Sequence, residues 1–204
     1  MIDAISQPFS LARAADAGPV YPESRLRVSP SVLDDQRAIR SLILQSGLFG
    51  PTDADCVDGM FSEAMARPAP DGYRFLSCWS DAPSHSPLAA QGTATASRMI
   101  GFACAGRESL TRGTWDLFWV CVSPEARGRG AGRELAAAAE RLAIEDGARL
   151  MVIYTSSTAP YAPARGLYKA RGFTCRAVVP DYYADGDDLL IYAKRLKAKQ
   201  DKGV

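Results

Sequence analysis

The residues with the most chemical potential in this sequence lie between Val122 and Glu134, where the chain reads Val-Ser-Pro-Glu-Ala-Arg-Gly-Arg-Gly-Ala-Gly-Arg-Glu. Gly128, Gly130 and Gly132 alternate with Arg127, Arg129, Ala131 and Arg133. Glycines at every second position free a turn of side chains and leave its N–H groups pointing outward, with guanidinium groups interleaved. The apolar positions Leu135, Ala138, Ala139 and Leu142 then recur at helical spacing. A helix that starts at such a turn adds its unpaired amides and the positive end of its dipole to the same place. The ligand that suits this arrangement is an anion, and a phosphate above others.

Two common phosphate-binding motifs do not fit. A dinucleotide fingerprint requires a third glycine where Arg133 stands, and an acidic residue about 20 residues on, where Tyr154 and Thr155 stand. A nucleotide P-loop requires Gly-Lys-Ser/Thr, which is absent. What remains is Arg127-x-x-Gly130-x-Gly132 after a strand and opening a helix. Downstream, Ala164-Arg165-Gly166-Leu167-Tyr168-Lys169-Ala170-Arg171-Gly172-Phe173 reads as a helix that carries a tyrosine and ends in Gly-Phe. In these two motifs the sequence resembles the GNAT family, the Gcn5-related N-acetyltransferases, over roughly residues 98 to 196.

The resemblance implies an acetyl-CoA co-substrate, its pyrophosphate held by Arg127, Gly128, Arg129, Gly130, Ala131, Gly132 and Arg133, and its pantetheine arm paired with the backbone of Cys121 and Val122. It implies Tyr168 as the acid that protonates the departing thiolate, a step for which a phenol of pKa about 10 is suited. Eleven positions before Arg127, Asp116 falls where several members carry a catalytic glutamate. Strand alternation sets it on one face with Phe118, Val120 and Val122. An apolar neighbourhood there would raise its pKa. Its shorter side chain leaves room for a water between it and the amine. Tyr161 departs from the family pattern, which has an asparagine at that position.

These residues need a scaffold. Residues 115–122 suit a buried strand, and Arg149–Thr155 a second one parallel to it after the alanine-rich helix. Earlier, a short strand is expected at 25–28, then a helix opened by Ser29 and Pro30 with Leu33, Ile39, Leu42 and Ile43 as its apolar stripe, and a second helix over Asp55–Ala66. Strands are expected at 72–79, 99–107, 174–179 and 189–196, and a helix at 162–170. A loop covers 80–97, and an acidic turn, 181–188, joins the last two strands. The order gives an α/β fold. The resemblance makes it a mixed, mostly antiparallel central sheet with one splayed parallel pair and helices on both faces. Residues 1–24 read as an arm, 25–198 as the acetyltransferase domain and 199–204 as a tail.

Composition narrows the function. With 204 residues the chain can bury a sizeable core. A net charge of +1 gives no pull toward nucleic acid, and no apolar run reaches the length needed to span a bilayer. Five scattered cysteines without Cys-x-x-Cys spacing suit a reducing compartment, hence the cytoplasm, and the lone His85 supports neither a zinc site nor a serine-hydrolase triad. The reading is an N-acetyltransferase that moves acetyl to a primary amine of a small metabolite, an amino acid being one candidate, by direct attack. The alternatives are an acyl-CoA-binding sensor without turnover and an acetyltransferase of protein N-termini or lysines. A homodimer is left open.

Overall fold

The computed structural model describes residues 26–66, 72–81 and 97–196. The expected arm, most of the 80–97 loop with His85, and the tail lie outside these residues. Seven strands form one sheet in the order β1-β2-β3-β4-β5-β7-β6: β1 Leu26–Pro30, β2 Arg74–Ser80, β3 Arg98–Arg107, β4 Thr114–Val122, β5 Leu150–Ser156, β6 Thr174–Ala184 and β7 Asp187–Arg195. Among the described residues four α-helices accompany them: α1 Gln36–Gln45, α2 Pro51–Ala66, α3 Ala131–Glu145 and α4 Ala162–Ala170. Among the described residues no helix is long and apolar enough to cross a membrane.

All neighbouring strands run antiparallel except β4 and β5. That parallel pairing lasts only three positions, Thr114 with Leu150, Trp115 with Met151 and Asp116 with Val152. Beyond Asp116 the two strands part. β5 stays paired with β7 up to Ser156, and β4 stays paired with β3 up to Val122, so the sheet opens as a V.

Each face buries its own core. On one, Ala131, Leu135, Ala136, Ala138, Ala139 and Ala143 of α3 meet Leu76, Ile100, Trp115, Leu117, Met151 and Ile153. Alanine costs no side-chain entropy in the helix, and its small size lets α3 lie close on the sheet. On the other, Ile39, Ile43, Val57 and Phe61 of α1 and α2 meet Phe75, Phe102, Cys104 and Cys121. Complete burial of a side chain such as Phe61, 0% exposed, stabilises by about 1.5–3 kcal/mol. Glu140 of α3 ties the far elements together: its carboxylate accepts from Arg171 Nε at 3.0 Å and from Lys194 Nζ at 2.5 Å.

Two expectations for the N-terminal elements change. Ser29 and Pro30 do not open a helix; they end β1, where an edge strand tolerates the missing N–H of proline. The chain then takes a short 3-10 turn at Leu33–Asp35 because the buried Asp35 carboxylate accepts from the Val32 amide at 3.0 Å and the Ser77 hydroxyl at 2.8 Å. Leu33 is left exposed rather than on the apolar stripe. The helix expected from Asp55 starts earlier, at Pro51, with the Asp53 carboxylate accepting from the Gly50 amide.

Candidate active site

At the end of β4 the chain turns through Pro124–Ala126 and reaches the glycines. Gly128 and Gly130 hold φ of +75° and +88°, a backbone that L side chains rarely adopt. Gly130 is the N-cap of α3 and carries no side chain to cap it. The amides of Gly128, Gly130, Ala131, Gly132 and Arg133 find no acceptor among the described residues, whereas Arg129 N donates to Ala126 and Glu134 N to Gly130. Five free N–H groups on one turn form an anion nest. At Gly132 an added Cβ would stand 3.3 Å from Leu167 Cδ2 and 3.7 Å from Val122 Cγ2, so the glycine keeps the nest floor clear.

A cavity of about 400 Å³ runs from the nest along the unpaired stretch of β4. Val120, Cys121 and Val122 wall one side, Leu167 and Tyr168 of α4 another, and Phe49 another. Of the residues expected to hold the cofactor, Cys121, Val122, Arg127, Gly128, Gly130, Ala131, Gly132 and Arg133 line it. Arg129 does not; its charge acts on Glu125 instead. The Arg127 guanidinium donates to the Ser46 carbonyl at 2.6 Å, pinning the end of α1 beside the nest.

Tyr168 is buried, with its ring against Phe173 and Tyr192. Burial pushes its phenol up to about 12, so at neutral pH it carries its proton. The Cys121 thiol lies 3.6 Å from the Leu42 carbonyl, and burial pushes it to about 12 as well. Held as a neutral thiol, it is no nucleophile.

Asp116 is the last residue of β4 paired with β5, at the point of the V. It does not share a face with Val120 and Val122 as expected. A β-bulge between Cys104 and Ala105 of β3 makes Phe118 an extra residue in β4, because Cys104 pairs with Trp119 and Ala105 with Leu117. Val120 and Val122 therefore pack toward α3, as Trp115 and Leu117 do. Asp116 points to the α1/α2 face, where the Phe118 ring lies 5.4 Å from Tyr73. The Asp116 side chain is 3% exposed and its Oδ1 has no hydrogen-bond partner. Burial first, and then the neighbouring Glu108 carboxyl, raise its pKa to about 7. Asp116 does not line the cavity that Tyr168 lines; the two groups flank the point of the V from opposite faces.

The aromatic side chains around Asp116 come from segments with no motif. Tyr154 follows Val152 by two positions on β5, and its phenol is raised by burial and then by Asp116, Glu108 and Tyr182. Phe49 packs edge-on against Trp119 and Tyr161. Alternation along β5, with Met151 and Ile153 apolar and buried, was the one sequence signal that could have set Tyr154 beside Asp116. The acidic turn is shorter than expected: Asp181–Ala184 end β6, and only Asp185 and Gly186 form the turn. Its carboxylates serve local structure. Asp181 accepts from the Gly186 amide, Asp188 from the Asp181 amide, and Asp187 from Ser156 and Ser157.

The family model described as acetyltransferase (GNAT) family matches residues 57–173. Among solved structures, a protein from Desulfovibrio desulfuricans assigned to the GNAT acetyltransferases is 29% identical, with a TM-score of 0.72 over 85% of this chain and 100% of that one. Salmonella typhimurium yncA, solved with its cofactor acetyl-CoA, is 20% identical with a TM-score of 0.63, covering 84% of this chain and 94% of its own. The ribosomal-protein-S18-alanine N-acetyltransferase of Escherichia coli is 16% identical with a TM-score of 0.62, covering 88% of this chain and 99% of that one. At such identities the latter two speak to the fold alone. No curated protein matches the sequence.

Proposed function

This chain belongs to the acetyltransferase (GNAT) family and is an acetyl-CoA-dependent N-acetyltransferase; from that premise we propose that it moves acetyl to a primary amine of a small metabolite by direct attack. The observation that carries the coenzyme part of the reading is the joining of the anion nest to the open side of β4 in one cavity. The five free amides and Arg133 suit a pyrophosphate, and the unpaired edge of Cys121 and Val122 suits an extended amide-bearing arm. Acetyl-CoA supplies an activated acyl group as a thioester.

The proposed roles of the side chains follow from their protonation. An amine attacks only as the free base. Asp116, raised to about 7 by burial and Glu108, is poised to take the ammonium proton near neutral pH, directly or through a water. As the C–N bond forms and the C–S bond breaks, the amine nitrogen gives up its second proton to water and the leaving sulfur takes one from the site, whose donor is then restored from solvent. Tyr168, protonated at neutral pH, is the proposed donor to that sulfur. The unreactive Cys121 thiol favours direct transfer over an acyl-enzyme. Five unpaired cysteines suit a reducing cytoplasm as the place of action. The test is thiol release from acetyl-CoA with a panel of amines, amino acids and an N-terminal peptide. Turnover of a small amine supports the reading, exclusive turnover of the peptide redirects it to protein substrates, and tight acetyl-CoA binding without turnover of any acceptor replaces it with a sensor.

A further inference from the structure

On the α1/α2 face, just past the point of the V, the first side chains on the two diverging strands are both aromatic. Phe118 stands on β4, two positions after Asp116, and Tyr154 on β5, two positions after Val152. Phe118 is 37% exposed and Tyr154 49% exposed. Tyr182, close enough to act on the Tyr154 phenol, is 61% exposed. Large rings left open around one spot form the kind of apolar patch that marks a ligand surface. Beneath them lies a carboxyl group that is buried, has one oxygen without a partner, and stands next to a second carboxyl, Glu108. The patch is thus apolar at its walls and acidic at its floor.

The local charges carry one sign. The influences on the Asp116 carboxyl, burial and Glu108, all raise its pKa, and no Lys or Arg side chain offsets them. The influences on the Tyr154 phenol are burial, Asp116, Glu108 and Tyr182, again with no cation. Among the described residues, Arg107 pairs with Asp146, and Arg165 donates to the Ser156 and Thr158 carbonyls. A bound carboxylate would meet two acidic groups there, Asp116 and Glu108, and among the described residues no Lys or Arg acts on the Asp116 carboxyl or the Tyr154 phenol to offset the cost of a desolvated charge.

We propose that the acceptor is a primary amine carried on an aromatic or similarly flat apolar body and lacking a carboxylate, its ring against Phe118 and Tyr154 and its nitrogen at Asp116. This rests on the acetyltransferase reading and narrows its acceptor, setting a decarboxylated amine above the parent amino acid. Ring stacking discriminates for the flat body, and the acidic floor discriminates against the acid.

The experiment compares 2-phenylethylamine, phenylalanine and butylamine at saturating acetyl-CoA, with thiol release as the readout. The expected kcat/KM for 2-phenylethylamine is at least about tenfold above the other two. Tyr154→Ala and Phe118→Ala should each raise its KM about tenfold while leaving the KM for acetyl-CoA and for butylamine where they were; a merely structural role would move all three. Equal or better use of phenylalanine, or equal losses for both amines in the variants, overturns the proposal and leaves the acetyltransferase reading standing. Calorimetry of 2-phenylethylamine on the protein saturated with coenzyme A gives a readout that does not depend on turnover, and absence of binding there also overturns it. Failure of the protein to take up coenzyme A at all overturns the acetyltransferase reading itself.

Discussion

The two halves of the V are built from different materials. On the nest side the ligand surface is main chain: five amides of residues 128–133 and the free edge of β4, with glycine keeping the space clear. On the other side it is side chain: Asp116, Phe118, Tyr154 and Tyr182, brought from three strands by pairing that a bulge has shifted. A backbone surface demands particular residue types at fixed spacing, because only glycine meets its conformation and clearance. A side-chain surface can be assembled from any strand positions that share a face, so its contents are free to differ with the acceptor.

That contrast orders the expected effects of breaking each half. The largest is on the shared chemistry: Tyr168→Phe keeps the buried ring against Phe173 and Tyr192 and should lower kcat by roughly 10²–10³ while the KM for acetyl-CoA stays put, as steady-state kinetics would record. Asp116→Asn should cost on the order of 10² in kcat and abolish the rise of rate through about pH 7 that the raised carboxyl predicts. The same substitution has a stability signature of definite sign. The folded carboxyl holds a proton to about pH 7 that the unfolded chain releases near its ordinary value of about 3.9. Stability therefore falls as pH climbs between these values. A melting series from pH 4 to 8 should show this slope in the wild type and not in Asp116→Asn.

On the nest side, Gly132→Val crowds Leu167 and Val122 and should raise the KM for acetyl-CoA about tenfold, about 1.4 kcal/mol, with kcat and acceptor preference unchanged. A change of acceptor preference in that variant would erase the distinction between the halves. The smallest effect on activity is expected from Glu140→Gln, which weakens ties to Arg171 and Lys194 away from the cavity. It should cost about 1–3 kcal/mol of stability by denaturant melt and leave both KM values alone.

What the sequence disclosed follows the same division. The nest, α3, α4 and the strand before the glycines were legible because backbone sites and alanine-rich helices write themselves as residue types at fixed spacing. The face of Asp116 was not, because a single extra residue at Phe118 reverses the alternation, and the bulge exists only in the pairing with β3. Ser29-Pro30 looked like a helix start and proved to be an edge-strand end, since the same local signal serves both and the Asp35 to Ser77 bond, 42 residues apart, decides between them. Tyr154 beside Asp116 was half legible: alternation along β5 gives its face, but its neighbourhood with Asp116 rests on a three-position strand pairing.

The most direct measurement is amide hydrogen exchange with and without coenzyme A. The account predicts that slowing concentrates in peptides covering Cys121–Arg133, the nest and the free edge of β4, while residues 116–118 of β4 and 152–154 of β5 respond only when an amine is added. Coenzyme A that slows exchange elsewhere and leaves residues 128–133 unchanged would contradict it.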